Sequence, residues 1–229
     1  MSSFDFDTAN FDAVYTGGEL LADAAITGVP WDIGEEQPLV AALERAGRFR
    51  DEVLDVGCGL GDNARFLAAK GYRVTAIDAA PAAITQARSR CTDLEIDFAV
   101  ADATDLSVYS GRFASVLDSA LFHTMDQASR GRYAVALRRA TRPGALLSML
   151  CFAAVPGGMP APLSVSEAEL RGTLTAAGWL ITEMSLGEFA GAAAPMATFF
   201  EKAGAHPELD ERGRTRLPVW VVHAERAEQ

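Results

Sequence analysis

The residues with most chemical meaning lie in one short run and a few positions after it. Val53 to Gly61 read V-L-D-V-G-C-G-L-G, and Ala76-Ile77-Asp78 follows a short helix later. Glycines let a backbone come close to a ligand. An acid at the tip of the neighbouring strand, Asp78, can accept hydrogen bonds from ribose hydroxyls. Together they predict a nucleoside-containing cofactor. A nicotinamide fingerprint would read G-x-G-x-x-G. Gly57 and Gly59 fit it, but Asp62 holds the third position and Gly61 falls one residue early. Asp55 precedes the first glycine by two residues, where it would repel a pyrophosphate and attract a cation. The pattern points away from NAD and toward S-adenosylmethionine, which carries an ammonium, a sulfonium and no phosphate. A nicotinamide dehydrogenase is the competing reading, and tight NADH binding would favour it.

Such groups need rigid elements behind them. Val53–Val56, Arg73–Ile77, Ile96–Val100, Ala114–Asp118, Ala145–Phe152, Leu180–Leu186 and Val219–Ala224 read as strands. Helices are predicted over Gln37–Gly47, Asp62–Lys70, Pro81–Arg90, Ser129–Ala140 and Ser166–Ala177. Pro81 suits a helix start, and Ser166-Glu167-Ala168-Glu169 is a capping box. Strands alternating with helices predict an α/β fold with a parallel sheet. Phe4, Phe6, Phe11 and Tyr15 are scattered among acids in residues 1–30, with a short helix near Phe11–Tyr15 and a loop at Gly17-Gly18. The stretch from Gly187 to Pro218 breaks the rhythm and holds Phe189, Met196, Phe199 and Phe200. Connections this long are often functional, so it reads as a cap or lid. A surface excursion packed on the sheet edge is the alternative. The expected organisation is one domain over 1–229. It comprises an N-terminal helical or lid segment (1–47), a core (48–186), a cap insertion (187–218), and a last strand and tail (219–229).

A chain of 229 residues, 49% hydrophobic, can bury the core of one domain. Its formal net charge of −11 argues against a nucleic-acid partner, because binding phosphates needs a basic surface. Cys58, Cys91 and Cys151 form no C-x-x-C pair and no metal spacing, so they read as free thiols in a reducing compartment. Met1–Asn10 lacks a basic region of the signal-peptide kind. No apolar stretch approaches the roughly 18 residues that span a membrane. A cytoplasmic protein, monomer or homodimer, without a membrane partner, is expected.

Asp55-Val56-Gly57-Cys58-Gly59-Leu60-Gly61 resembles the first motif of class I S-adenosylmethionine-dependent methyltransferases. Asp78 resembles their ribose-binding acid, Ala101-Asp102-Ala103 their adenine-contacting turn, and Val116-Leu117-Asp118-Ser119 their fourth motif. The resemblance covers roughly residues 30–225. It implies a Rossmann-like, seven-stranded, mostly parallel sheet with helices on both faces, an N-terminal helical segment and a cap before the last strand. It also implies that Gly57, Cys58 and Gly59 line the methionine portion, and that Asp55 orients the cofactor's amino group, partly through water. Asp78 would take the ribose hydroxyls, Asp102 the adenine amino group, and Ala103 would supply backbone to the ring. Trp31, Ala79, Asp118 and Ser119 complete the implied cofactor set.

Pro30-Trp31-Asp32-Ile33-Gly34, with Gln37-Pro38, and Asp118-Ser119-Ala120-Leu121-Phe122-His123 narrow the likeness. They are similar to thiopurine-methyltransferase-like proteins, and most to actinobacterial heterocyclic-toxin (benzoquinone-type) methyltransferases. Glu36, beside Glu35, departs from the small residue or proline usual before Gln-Pro. The likeness implies methyl transfer to a hydroxyl or ring nitrogen of a small aromatic or heterocyclic molecule, by in-line displacement. His123 is the candidate base, since an unperturbed imidazole near pKa 6.5 suits neutral pH. Trp31 could cover the sulfonium or the acceptor ring. No metal is expected: Met149-Leu150-Cys151-Phe152 lacks the Asp-Asn pair of magnesium-dependent catechol enzymes. Alternatives are a thiol- or halide-directed enzyme of the same group and a non-catalytic cofactor-binding protein. A nucleic-acid methyltransferase would need a basic face and an Asn/Asp-Pro-Pro-Tyr motif where Asp118-Ser119-Ala120-Leu121 stands.

Overall fold

The computed structural model describes residues 9–20, 26 and 28–227, so Phe4 and Phe6 lie outside the described residues. Seven strands form one sheet: β1 Glu52–Val56, β2 Arg73–Asp78, β3 Ile96–Val100, β4 Phe113–Ser119, β5 Thr141–Phe152, β6 Trp179–Gly191 and β7 Thr215–Arg226. Their order is β3-β2-β1-β4-β5-β7-β6, and only β7 runs antiparallel to its neighbours. Strand order reverses between β1 and β4, which opens a crevice at the carboxyl ends of the parallel strands.

Side chains alternate across this sheet and send two cores to opposite faces. Val53, Val74 and Ala76 pack under α2 (Pro38–Arg45), α3 (Asp62–Ala69) and α4 (Pro81–Arg90). Leu54, Val56 and Val116 pack under α5 (Gln127–Ala140) and α6 (Glu167–Ala176). Ser166 caps α6 by accepting from the Glu169 amide at 3.2 Å. A short α1 (Phe11–Tyr15) docks on α4: Asp12 accepts from the Ala82 amide at 2.9 Å, and Gln86 donates to the Tyr15 carbonyl.

The cap differs from expectation. β6 continues to Gly191 and β7 begins at Thr215, with Gly187 opposite Val219 and Gly191 opposite Thr215. The glycines that suggest an end to the strand are instead close-approach positions. A Cβ on Gly187 would lie 2.7 Å from the Val221 side chain. What remains between the strands is 192–214, carrying α7 (Ala193–Ala203), whose Met196, Phe199 and Phe200 are buried.

Candidate active site

The glycine turn joins β1 to α3, and its shape requires glycine. Gly57 has φ 71°, and a Cβ there would sit 3.0 Å from the Leu121 side chain. Gly59 has φ 54°, with Tyr15 Oη 3.1 Å and Trp31 Nε1 3.3 Å from where its Cβ would be. The amides of this turn face inward. Gly57 and Cys58 both donate to the Ile77 carbonyl, at 2.8 and 2.9 Å, and Gly59 donates to Asp78 Oδ2 at 2.9 Å. Phosphate-binding turns aim such amides at the anion. Here the three are already bonded within the fold.

Behind the turn, Asp55 is 1% exposed and neither oxygen has a hydrogen-bond partner; the Ala64 amide gives it only partial support. Burial, then the nearby Asp118 and Asp78, push its carboxyl up to about 7. A buried carboxylate without a partner is costly, and a cation above the turn would offset that cost. The orphaned acid and the inward amides fit an ammonium–sulfonium cofactor and disfavour a pyrophosphate.

A cavity of about 310 Å³ runs along the strand ends. Sheet order gives it direction. On the β3–β2 side its wall is Asp102, Ala103, Asp78 and Ala79; at the centre it is Gly57 and Ser119; on the β5–β7–β6 side it is Phe152, Leu217 and Phe189. A side chamber of about 40 Å³ opens at Gly57, Cys58 and Gly59, and shares Trp31, Ser119 and Phe189 with the main cavity. Asp32, Glu35 and Asp62 also line the chamber. Arg90 pairs with Asp32 at 2.9 Å and reaches Asp62 at 3.6 Å, while Arg214 pairs with Glu35 at 2.6 Å.

Asp78 accepts from the Ala80 amide at 2.9 Å as well as from Gly59, so it also holds the turn in place. Burial raises its pKa, and these amides pull it back. Asp102 is exposed and bonds Thr104 through one oxygen. Its other oxygen is not engaged in that turn.

Two expected contacts need correction. Asp55 lies behind the turn and lines neither space. Asp118 is fully buried on the α5 face, where one oxygen accepts from the Leu121 amide and the other from Tyr133 Oη, both at 2.8 Å. Strand alternation turns residue 118 away from the cavity and residue 119 toward it. Asp118 therefore shapes the turn that follows β4.

That turn carries His123 to the cavity, against Phe152 at a ring separation of 4.3 Å. The expectation of an imidazole near 6.5 does not hold. His123 is 5% exposed and its Nδ1 has no partner; burial, and then the Arg130 guanidinium, lower its pKa to about 3. The ring stands as a neutral imidazole.

Other walls escaped the sequence reading. Phe11, Tyr15, Ile26, Met159 and Met196 close the cavity. Trp31 donates its Nε1–H to Tyr15 Oη at 3.0 Å, so its ring and not its N–H faces a ligand. Gln37 ties this loop to β6, donating to the Ala190 carbonyl at 2.8 Å and accepting from its amide at 3.2 Å. The scattered aromatics near the N-terminus and the cap reading over Met196 were the signals, and no period marked these residues as lining.

Fold and site together define a nucleoside-cofactor enzyme of the Rossmann-like class. A methyltransferase domain family matches residues 53–144. The 2-heptyl-1-hydroxyquinolin-4(1H)-one methyltransferase of Mycobacteroides abscessus is 37% identical over 161 residues, covering 68% of this chain and 70% of the relative. A solved structure described for the conversion of a disulfide bond into a thioacetal group during echinomycin biosynthesis superposes with TM-score 0.80. It is 33% identical, over 96% of this chain and 92% of that one. The fold is also that of the Burkholderia thailandensis 1,6-didemethyltoxoflavin-N1-methyltransferase, with TM-score 0.58, 19% identity, and coverage of 83% of this chain and 77% of that one. The chain belongs to the S-adenosylmethionine-dependent methyltransferases. S-adenosylmethionine is its cofactor and S-adenosylhomocysteine its product.

Proposed function

We propose that this enzyme methylates a hydroxyl or ring nitrogen of a small aromatic or heterocyclic molecule by in-line displacement, without a metal. The observation that carries this reading is the continuous cavity with carboxylates at one end, Asp78 and Asp102, and an aromatic end at His123 and Phe152. The relative acting on a hydroxyquinolone supports a flat heteroaromatic acceptor.

Bound S-adenosylmethionine supplies a methyl group on a positively charged sulfur. The protein's part is positioning, which can contribute roughly 7–11 kcal/mol when reactants are well oriented. Asp78 and Asp102 hold the ribose and adenine. The turn at Gly57–Gly59, with the charge of Asp55 behind it and Ser119 beside it, seats the methionine end. Trp31 covers the junction of chamber and cavity. His123 and Phe152 set the plane of the acceptor ring, and the walls from Phe11, Tyr15 and Pro30 on one side and Phe189, Met196 and Leu217 on the other exclude water.

A second reading is a thiol acceptor, favoured by the sulfur chemistry of the 33%-identical structure. Three free, buried cysteines suit the cytoplasm, as one domain over 1–229, monomer or homodimer. Among the described residues no helix is long and apolar enough to cross a membrane. Labelled-methyl transfer to an acidic aromatic hydroxyl, a heterocycle with a free ring nitrogen and a thiol tests the proposal. Label on oxygen or nitrogen is expected; transfer confined to the thiol would replace the first reading with the second.

A further inference from the structure

At the acceptor's end most of the cavity wall is apolar: Phe152, Met159, Leu163, Phe189, Met196 and Leu217, with the hydroxyl residues Thr124 and Thr215 beside them. Among the described residues, the carboxylates on the wall are Asp78 and Asp102, both on the β2–β3 side, and no lysine or arginine lines it. Tyr15 is on the wall, but its hydroxyl accepts from Trp31, and burial beside Asp78 pushes it further from ionisation. Among the described residues of the acceptor's end, the side chain able to take a proton is His123.

The surroundings of His123 oppose protonation. Its ring lies on Phe152. Arg130 of α5 donates to the carbonyls of Phe122 and His123 at 3.3 and 3.1 Å, placing a guanidinium behind the same turn. Glu169 of α6 faces that guanidinium and pairs with it at 2.6 Å. Asp118 of β4 is committed to Leu121 and Tyr133, and Cys151 of β5 is a buried thiol. An imidazolium would be buried beside a second cation, which fits its depressed pKa of about 3.

Resting on the assignment of the His123 end as the acceptor site, we propose that the acceptor brings its own proton-free nucleophile. It is a hydroxyl, N-hydroxyl or thiol acidic enough to give its proton to water before entering, or a ring nitrogen with a free lone pair. His123 orients it and takes no proton from it. The heteroatom's lone pair forms the new bond to the methyl carbon, and the electron pair of the broken carbon–sulfur bond stays on sulfur, cancelling its charge. An anionic acceptor leaves as a neutral ether or thioether, and a neutral ring nitrogen leaves as an N-methyl cation. No proton moves within the site. Aromatic hydroxyls of ordinary acidity are thereby selected against.

The test compares two acceptors of one skeleton, an unsubstituted phenol and a nitro-substituted analogue ionised at neutral pH. The ionised analogue should be turned over at least about a hundredfold faster at pH 7, and kcat/KM for each should rise with that acceptor's own ionisation. His123→Gln should lower the profile without moving its inflection. Absorbance titration of the enzyme loaded with S-adenosylhomocysteine should show the analogue bound as its anion. An inflection common to both acceptors, or equal rates for the two at pH 7, would overturn the proposal. Failure of either acceptor to bind, with cofactor affinity intact, would instead overturn the acceptor-site assignment, and this proposal with it.

Discussion

Asp55 shows what one residue can trade. Its folded pKa of about 7 exceeds the unfolded value near 3.9, so between those values the folded chain holds the extra proton. Stability therefore falls as pH rises through that window. Asp118, at about 6, acts in the same direction. His123 acts oppositely: folded near 3 and unfolded near 6.5, it costs stability as pH falls through 6.5. Asp55→Asn, free of the charge, should melt higher than wild type in the ligand-free state at pH 8, by on the order of 1–3 kcal/mol, with the gain gone at pH 4. The same variant should bind S-adenosylmethionine more weakly, as read by calorimetry. A lower melting point at pH 8 would show that the carboxylate is satisfied in solution. Asp78→Ala should weaken cofactor binding by about 1–3 kcal/mol, because ribose hydroxyls lose an acceptor and the Gly59 amide loses its partner. Unchanged affinity would remove Asp78 from the ribose.

At the scale of elements, the turn after β4 decides where His123 meets the cavity. Three interactions fix it: Asp118 to the Leu121 amide, Arg130 to the carbonyls of Phe122 and His123, and the Arg130 guanidinium 5.6 Å from the Phe122 ring centre. Arg130 is itself held by Glu169 from α6, so two helices behind the sheet reach the active-site turn. Arg130→Met should leave two carbonyls short of a donor and cost about 1–3 kcal/mol of stability. Acceptor kcat/KM should fall about tenfold or more while cofactor affinity stays within a factor of about two. Arg130→Lys should recover part of the loss. Equal losses for cofactor and acceptor would make the arginine a general structural support. The sequence placed His123 near the acceptor because a strand tip followed by a short turn is local. It did not reveal the arginine, because Arg130 reads as one more charge on an ordinary helix.

The whole molecule closes the cavity from both ends of the chain. The loop around Trp31 meets β6 through the reciprocal Gln37–Ala190 pair and through the Ala192 amide, which donates to the Pro30 carbonyl at 2.8 Å. Glu35, next to the departure at Glu36, holds Arg212 and Arg214 from the segment before β7. Gln37→Ala should strand a buried N–H and C=O. Amide exchange should then quicken across 28–37 and 188–192, and the acceptor KM should rise more than the cofactor Kd. Exchange unchanged in both segments would show that the loop is held elsewhere.

What could be read from the sequence was what is encoded locally. The glycine turn needs its glycines for backbone conformation, Asp78 ends a strand by apolar pattern, and the acid before the turn sets the charge of the ligand. These follow from neighbours in the chain, so cofactor and sheet were legible. The tertiary structure decided the rest, because contacts between residues far apart in the chain carry no local signature. It turned the amides inward, put Asp118 on the helix side, depressed the imidazole of His123, and assembled a cavity wall from Phe11, Phe152, Phe189 and Met196. Burial is a property of the packed molecule, and burial beside Arg130 lowers the pKa of this imidazole far below its ordinary value.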